Sequence, residues 1–97
     1  MYGIIGKLLV KPGKRDELSA ILLAATREMP GCLSYIVATD QSDEQALWIT
    51  EVWETREAHT ASLSLPLVQQ AMIEGKPLID GFGERFATVP VGGHGID

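Results

Sequence analysis

Trp53, Glu51 and His59 are the residues whose types and spacing can do chemistry together in this chain. They lie in the stretch Trp48 to Met72 (WITEVWETREAHTASLSLPLVQQAM), which opens in period-2 alternation and hands over at Trp53 to a helical pattern. Trp53 offers a flat ring for stacking and one indole N–H to donate; the alternative is a core tryptophan at a junction of elements. Glu51 alternates onto the same strand face as Trp53. Its carboxylate either lines a pocket as a base or pairs with Arg85, the commoner state of such a group. His59 carries an imidazole, the side chain best suited to general-base work near neutral pH. Ser62, three residues on, shares its helix face. The plain reading of His59 is a solvated helix histidine beside Arg56 and Glu57.

Other residues complete a candidate small-molecule site. Tyr35 lines it through its hydroxyl or packs as a strand tyrosine in the core. Arg85, between small Gly83 and Ala87, can stabilise an enolate or phenolate. Leu22, Leu63 and Leu67 supply apolar walls, which ligand pockets require. The single cysteine, Cys32, reads as a structural thiol, and His94 sits in a glycine-rich tail. No HxH, HExxH or CxxC occurs, and Asp40, Asp43 and Glu44 lack the EF-hand spacing. No metal, nucleotide or flavin site, and hence no cofactor, is expected.

The elements that must position these groups follow from periodicity. Tyr2 to Lys11 reads as a strand and Pro12-Gly13 as a break. From Lys14, the residues Leu18, Ile21, Leu22, Ala25 and Met29 form one helical stripe, with Arg27 in the last turn and Pro30-Gly31 ending it. Cys32 to Thr39 and Ala46 to Trp53 are strands around a polar hairpin loop, Asp40 to Gln45. Thr55 can cap a helix to Leu63, with Glu57 in its first turn. Pro66 can open a second helix, to Glu74, closed by Gly75. Leu78 to Val89 is a last strand, with Phe82 and Phe86 on one face and Gly81, Gly83, Arg85 and Ala87 on the other.

The order βαββααβ predicts an α+β, ferredoxin-like fold: a four-stranded antiparallel sheet with helices on one face. Residues 1–90 form the domain, and 91–97 read as a flexible tail. Ile4, Leu8 and Val10 lie on one side of the first strand and Ile5 and Leu9 on the other; Leu47, Ile49 and Trp53 oppose Ala46, Trp48 and Val52 on the third. A water-facing sheet surface would be polar, so the second face is expected to bury against another copy as a homodimer.

Composition narrows the partners. Ninety-seven residues make one domain, and 45% hydrophobic with 22% charged residues is globular rather than disordered. The net charge of −5 argues against nucleic acid. The basic residues are scattered and the longest apolar run, Ala20 to Ala25, is far too short to span a bilayer, so no membrane partner is expected. No leader-like segment precedes the first strand, and the expected location is cytoplasmic.

Four segments carry a resemblance to a known family: VKPGK (Val10 to Lys14), PGCLSY (Pro30 to Tyr35), EVWETREA (Glu51 to Ala58) and SLP (Ser64 to Pro66). In this order and spacing the chain resembles the antibiotic-biosynthesis monooxygenase domains of the dimeric α+β barrel proteins, over roughly residues 1 to 90. The resemblance implies a small homodimer related to quinol or polyketide monooxygenases that use O₂ without flavin or metal. It also implies that Trp53 faces a cleft between sheet and helices. Relatives on the fold degrade haem or isomerise small phosphorylated metabolites.

The chain departs from those patterns. Quinol-type members carry a histidine in the first short helix and another just after the proline, where this chain has Ser62 and Leu67. The haem-degrading branch has a tryptophan and a downstream histidine where Ser62 and Met72 stand. His59 can supply the imidazole that position 62 lacks. The implied function is cofactor-independent monooxygenation of a hydroxylated aromatic or quinol, with Trp53 and His59 as the catalytic pair. The alternative is a non-catalytic binding or stress-response dimer of the same fold.

Overall fold

Proline and glycine breaks divide the chain into the elements of the computed structural model, which describes residues 1–96. They are β1 (Tyr2–Val10), α1 (Arg15–Ala25), β2 (Cys32–Thr39), β3 (Ala46–Trp53), α2 (Arg56–Ser62), α3 (Pro66–Gly75), a 3-10 turn (Lys76–Leu78) and β4 (Ile79–Thr88). The strands pair antiparallel in the order β2-β3-β1-β4. This is the ferredoxin-like α+β arrangement that the periodicity predicts. Beyond β4 the described residues carry a turn, in which the Ile96 N–H donates to the Gly93 carbonyl at 3.2 Å. Asp97, the last residue of the expected tail, lies outside the described residues.

The core forms where α1 and α3 cover the sheet. Val10, Leu18, Leu47 and Leu78 are buried together, with Leu8, Ile21, Leu22, Val37 and Ile79 packed around them. Leu18 is the centre of the α1 stripe, and its truncation to alanine would cost about 2–5 kcal/mol. α1 stops at Ala25, short of the expected Met29, and so has no basic residue in its last turn. Thr26 turns its hydroxyl back onto the Leu22 carbonyl at 2.7 Å, and Pro30 disfavours helical backbone at Met29. Met29 is nevertheless buried. Gly75 does not end α3 through a left-handed turn, since its φ is −79°. A side chain there would stand 3.1 Å from Leu18 Cδ1, so the glycine serves close packing of α1 on α3.

Register shifts in the β1–β4 ladder, between Gly6 and Leu8 and between Leu9 and Val10, decide what faces the site. Ile5 pairs with Phe86 but Leu8 pairs with Phe82, so the two phenylalanines project from opposite faces. This corrects the single-face expectation: a bulge inserts a residue into β4 and breaks its period of two. Phe82 shares the helix-covered face with Leu8, whereas Phe86 joins Ile5, Trp48 and Ile36 on the uncovered one. Arg85 pairs with Gly6 and therefore lies on the face of Phe82, opposite to the expectation that set it against both phenylalanines.

Candidate functional site

Between the helix-covered sheet face and α1–α3 lies a cavity of about 850 Å³. Leu18, Leu22, Ala25, Met29, Val68, Ala71 and Ile79 make its walls largely apolar. Tyr35, Glu51 and His59 bring polar groups from β2, β3 and α2. Leu63, Met72, Ile73 and Phe82 also line it while staying exposed, so they mark its mouth. Such a space admits a flat apolar molecule; Thr26, Gln69, Lys76 and Asp80 add polar groups elsewhere on its lining.

α2 is fixed at both ends. The Ala58 N–H donates to Thr55 Oγ1 at 3.0 Å, the expected N-cap. Ser62 Oγ donates to the His59 carbonyl at 2.6 Å. Gly31, in the left-handed region at φ +80°, lets the helix come close: a Cβ there would lie 2.6 Å from the Ala58 Cβ. The Gly31 carbonyl also accepts from the Glu54 N–H at 2.8 Å. Two of the quoted sequence segments, PGCLSY and EVWETREA, thus meet at this contact.

At the cavity end of β3, Trp53 Nε1 donates to Glu51 Oε1 at 3.0 Å. The same Oε1 lies 3.9 Å from His59 Nε2, an ion-pair distance rather than a hydrogen bond. Both side chains are mostly covered, 16% exposed for His59 and 14% for Glu51. The imidazole packs edge-on against Trp53, with ring centroids 5.5 Å apart and planes at 71°. Tyr2 stands near it too, at 5.7 Å and 45°. Carboxylate, indole and imidazole therefore form one cluster.

Burial raises the Tyr35 phenol well above its ordinary range, and the charges of Glu51 and then Cys32 push the same way. Tyr35 therefore stays a protonated donor at any physiological pH. Cys32 also titrates high, through burial first; its bond to the Ser34 carbonyl opposes this and the Glu51 charge adds to it.

The structure brings Trp53, His59, Glu51, Tyr35, Ser62, Leu22 and Leu63 to the cavity and leaves two expected residues out. Arg85 is exposed and does not line it, because the helices do not cover its part of the sheet. The expected pairing of Glu51 with Arg85 does not form; Trp53 and His59 take that place. Leu67 points instead into a groove of about 310 Å³ between α1 and α3, with Ala20, Ile21 and Glu74. Its position, one residue after Pro66, turns it to the outer side of α3. Ser62 is buried, yet its hydroxyl is spent on the helix backbone. Trp53 is 0% exposed, so it forms part of the wall and presents no open stacking face.

Tyr2 is the residue that sequence reasoning missed. Its pairing with Trp53 across β1 and β3 was the available signal, and it required the register. Among the described residues, no three His, Cys, Asp or Glu side chains stand close enough to hold a metal ion. No helix there is long and apolar enough to cross a membrane.

Known proteins share this fold. Residues 1–73 match the model of the family described as Antibiotic biosynthesis monooxygenase. A candidate antibiotic biosynthesis monooxygenase from Chloroflexus aurantiacus J-10-fl is 58% identical, with a TM-score of 0.95 over 99% of this chain and 98% of its own. A second, from Deinococcus radiodurans, is 30% identical, with a TM-score of 0.78 over 96% of this chain and 95% of its own. An uncharacterised Synechocystis protein is 34% identical over 58 residues, 57% of this chain. The match spans only 40% of that protein's length.

Proposed function

Since the chain belongs to the antibiotic biosynthesis monooxygenase family, we propose that it oxygenates a hydroxylated aromatic or quinol-type molecule with O₂ and no flavin or metal. The observation that carries this reading is the Glu51 carboxylate held between the Trp53 N–H and the His59 imidazole on the wall of a largely apolar cavity.

The reaction begins with removal of the substrate's hydroxyl proton. With Nε2 turned toward Glu51, the Nε2–H tautomer leaves Nδ1 to accept that proton. Glu51 then faces the new imidazolium, and its negative charge stabilises the charged pair in a poorly solvated site. The Tyr35 hydroxyl, still protonated, is suited to donate to the phenolate oxygen. The electron-rich anion passes one electron to O₂, and the radical pair recombines through a new C–O bond to a hydroperoxide. Loss of water leaves a quinone carbonyl. Overall a phenolic C–H plus O₂ gives a quinone plus H₂O, with one oxygen atom in each product. The apolar walls exclude bulk water from the intermediate.

The active unit is a homodimer joined through the uncovered sheet face. Ile36 and Phe86 are each 54% exposed there, beside half-buried Ile5, Leu9, Trp48 and Val52, an apolar surface of the kind that marks an interface.

Oxygen consumption by chelator-treated protein, measured across catechols, naphthoquinols and anthrones, tests the reading. Uptake above the spontaneous rate with one of these classes supports it. No uptake across the panel would favour the ligand-binding module.

A further inference from the structure

The backbone of His59 is fixed, but among the described residues no direct hydrogen bond anchors its ring. The Thr55 cap holds the start of α2, and the Ser62 hydroxyl binds the His59 carbonyl itself. What remains free are the two torsions of the imidazole. On one side Trp53 meets the ring edge-on at 5.5 Å, and Glu51 Oε1 is 3.9 Å from Nε2. Trp53 is in turn tied to Glu51 and fully buried. The remaining aromatic contact comes from Tyr2, 5.7 Å away and tilted by 45°.

Tyr2 does not line the cavity. It is half-buried, pairs with Trp53 across the β1–β3 ladder, and so reaches His59 from a different strand than Glu51 does. Centroid separations of both ring pairs fall within the range in which tilted and edge-on aromatic contacts are attractive. An imidazole held by two rings and one carboxylate keeps a single orientation, and a proton acceptor misplaced by an ångström loses much of its rate.

We propose that Tyr2 is a positioning residue for His59: its ring completes an aromatic clamp, with Trp53, that sets the orientation of the imidazole. The role belongs to the ring and not to the hydroxyl. It rests on the oxygenase reading only in its consequence for turnover; the clamp itself is a statement about structure.

The test compares Tyr2→Phe and Tyr2→Leu with the parent protein, in each case with folding checked by circular dichroism. Overhauser contacts between the His59 and Trp53 rings in proton NMR read the clamp, because they report the orientation of the imidazole and do not depend on the ring current of residue 2. Tyr2→Phe is expected to keep the parent pattern of these contacts at the imidazole Cε1–H and Cδ2–H. Folded Tyr2→Leu is expected to lose or redistribute them, as the imidazole samples other orientations. On an accepted hydroxyarene, Tyr2→Leu should lower kcat about tenfold with KM changed by less than about twofold, and Tyr2→Phe should restore it. An unchanged pattern of His59–Trp53 contacts in folded Tyr2→Leu would overturn the clamp, whatever the turnover. If the parent protein consumes no oxygen, the oxygenase reading fails, and the NMR comparison alone decides the clamp.

Discussion

The indole nitrogen of Trp53 lies 3.0 Å from Oε1 of Glu51, two positions back on the same strand. Residues i and i+2 share a strand face, so this bond needs no long-range pairing to form. It fixes the carboxylate with one lone-pair region toward Trp53 and leaves the charge facing His59. It also bears on Trp53 itself: a fully buried indole committed to Glu51 has no open face with which to stack on a substrate.

Replacing Glu51 by Gln should therefore separate charge from shape. The amide oxygen can still accept from Trp53, so folding should persist, while the partner of the imidazolium loses its charge. We expect kcat to fall roughly ten- to a hundredfold, with a small change in KM. A direct readout needs no substrate. The Glu51 charge contributes to the raised Tyr35 phenol, so Glu51→Gln should let Tyr35 ionise at lower pH in an ultraviolet titration. It should stay above the ordinary value, because burial is the larger cause.

Trp53→Phe removes a donor and part of a buried ring. The loss in stability should be about 1–3 kcal/mol in denaturant unfolding, from the space left behind. The released carboxylate should lower kcat more than it weakens substrate binding, the reverse of what a stacking platform would show.

Stability should fall on the alkaline side. Cys32 and Tyr35 have ordinary values of 9.0 and 10.0, and both are raised in the folded protein. As pH rises the unfolded chain loses these protons first, so the folded state binds more protons and unfolding becomes easier. Their stabilisation is full below about pH 9 and is lost upward through the folded values. Urea unfolding at about pH 8 and about pH 10.5 should show this decline, and a Cys32→Ser, Tyr35→Phe double variant should reduce it.

The pairing face can be tested by charge. Phe86→Glu with Ile36→Lys places charges on the uncovered sheet without touching the cavity. Sedimentation of the parent protein should give twice the 10.5 kDa chain mass, and the double variant should give a monomer. A parent protein that sediments as a monomer at micromolar concentration would remove the dimer.

Much of the architecture was legible because its signals are local. The alternation of Ile4, Leu8 and Val10 against Ile5 and Leu9 set the faces of β1, and the Leu18 stripe set the buried side of α1. Thr55 announced its own cap. What escaped depended on register or on a break in period. The β4 bulge separated Phe82 from Phe86 and set Arg85 on the side of Phe82, and Gly83, inside that insertion, was the mark that went unread. Tyr2 joined the cluster only through its pairing with Trp53. Leu67 followed the apolar rule but fell on the outer face of α3. Glu51 was read as pocket-lining or paired with Arg85; it lines the cavity, and a neutral N–H two residues away and a nearby imidazole stand where the arginine was expected.

In the proposed reaction His59, backed by Glu51, takes a proton so that the substrate anion can react with O₂. Turnover of an accepted hydroxyarene under isotopically labelled O₂, by chelator-treated parent protein and by His59→Ala, tests it most directly. One labelled oxygen atom should appear in the quinone and the other in water, with a rate at least about a hundredfold lower in a folded His59→Ala protein. Labelled product formed at the same rate by His59→Ala would contradict it.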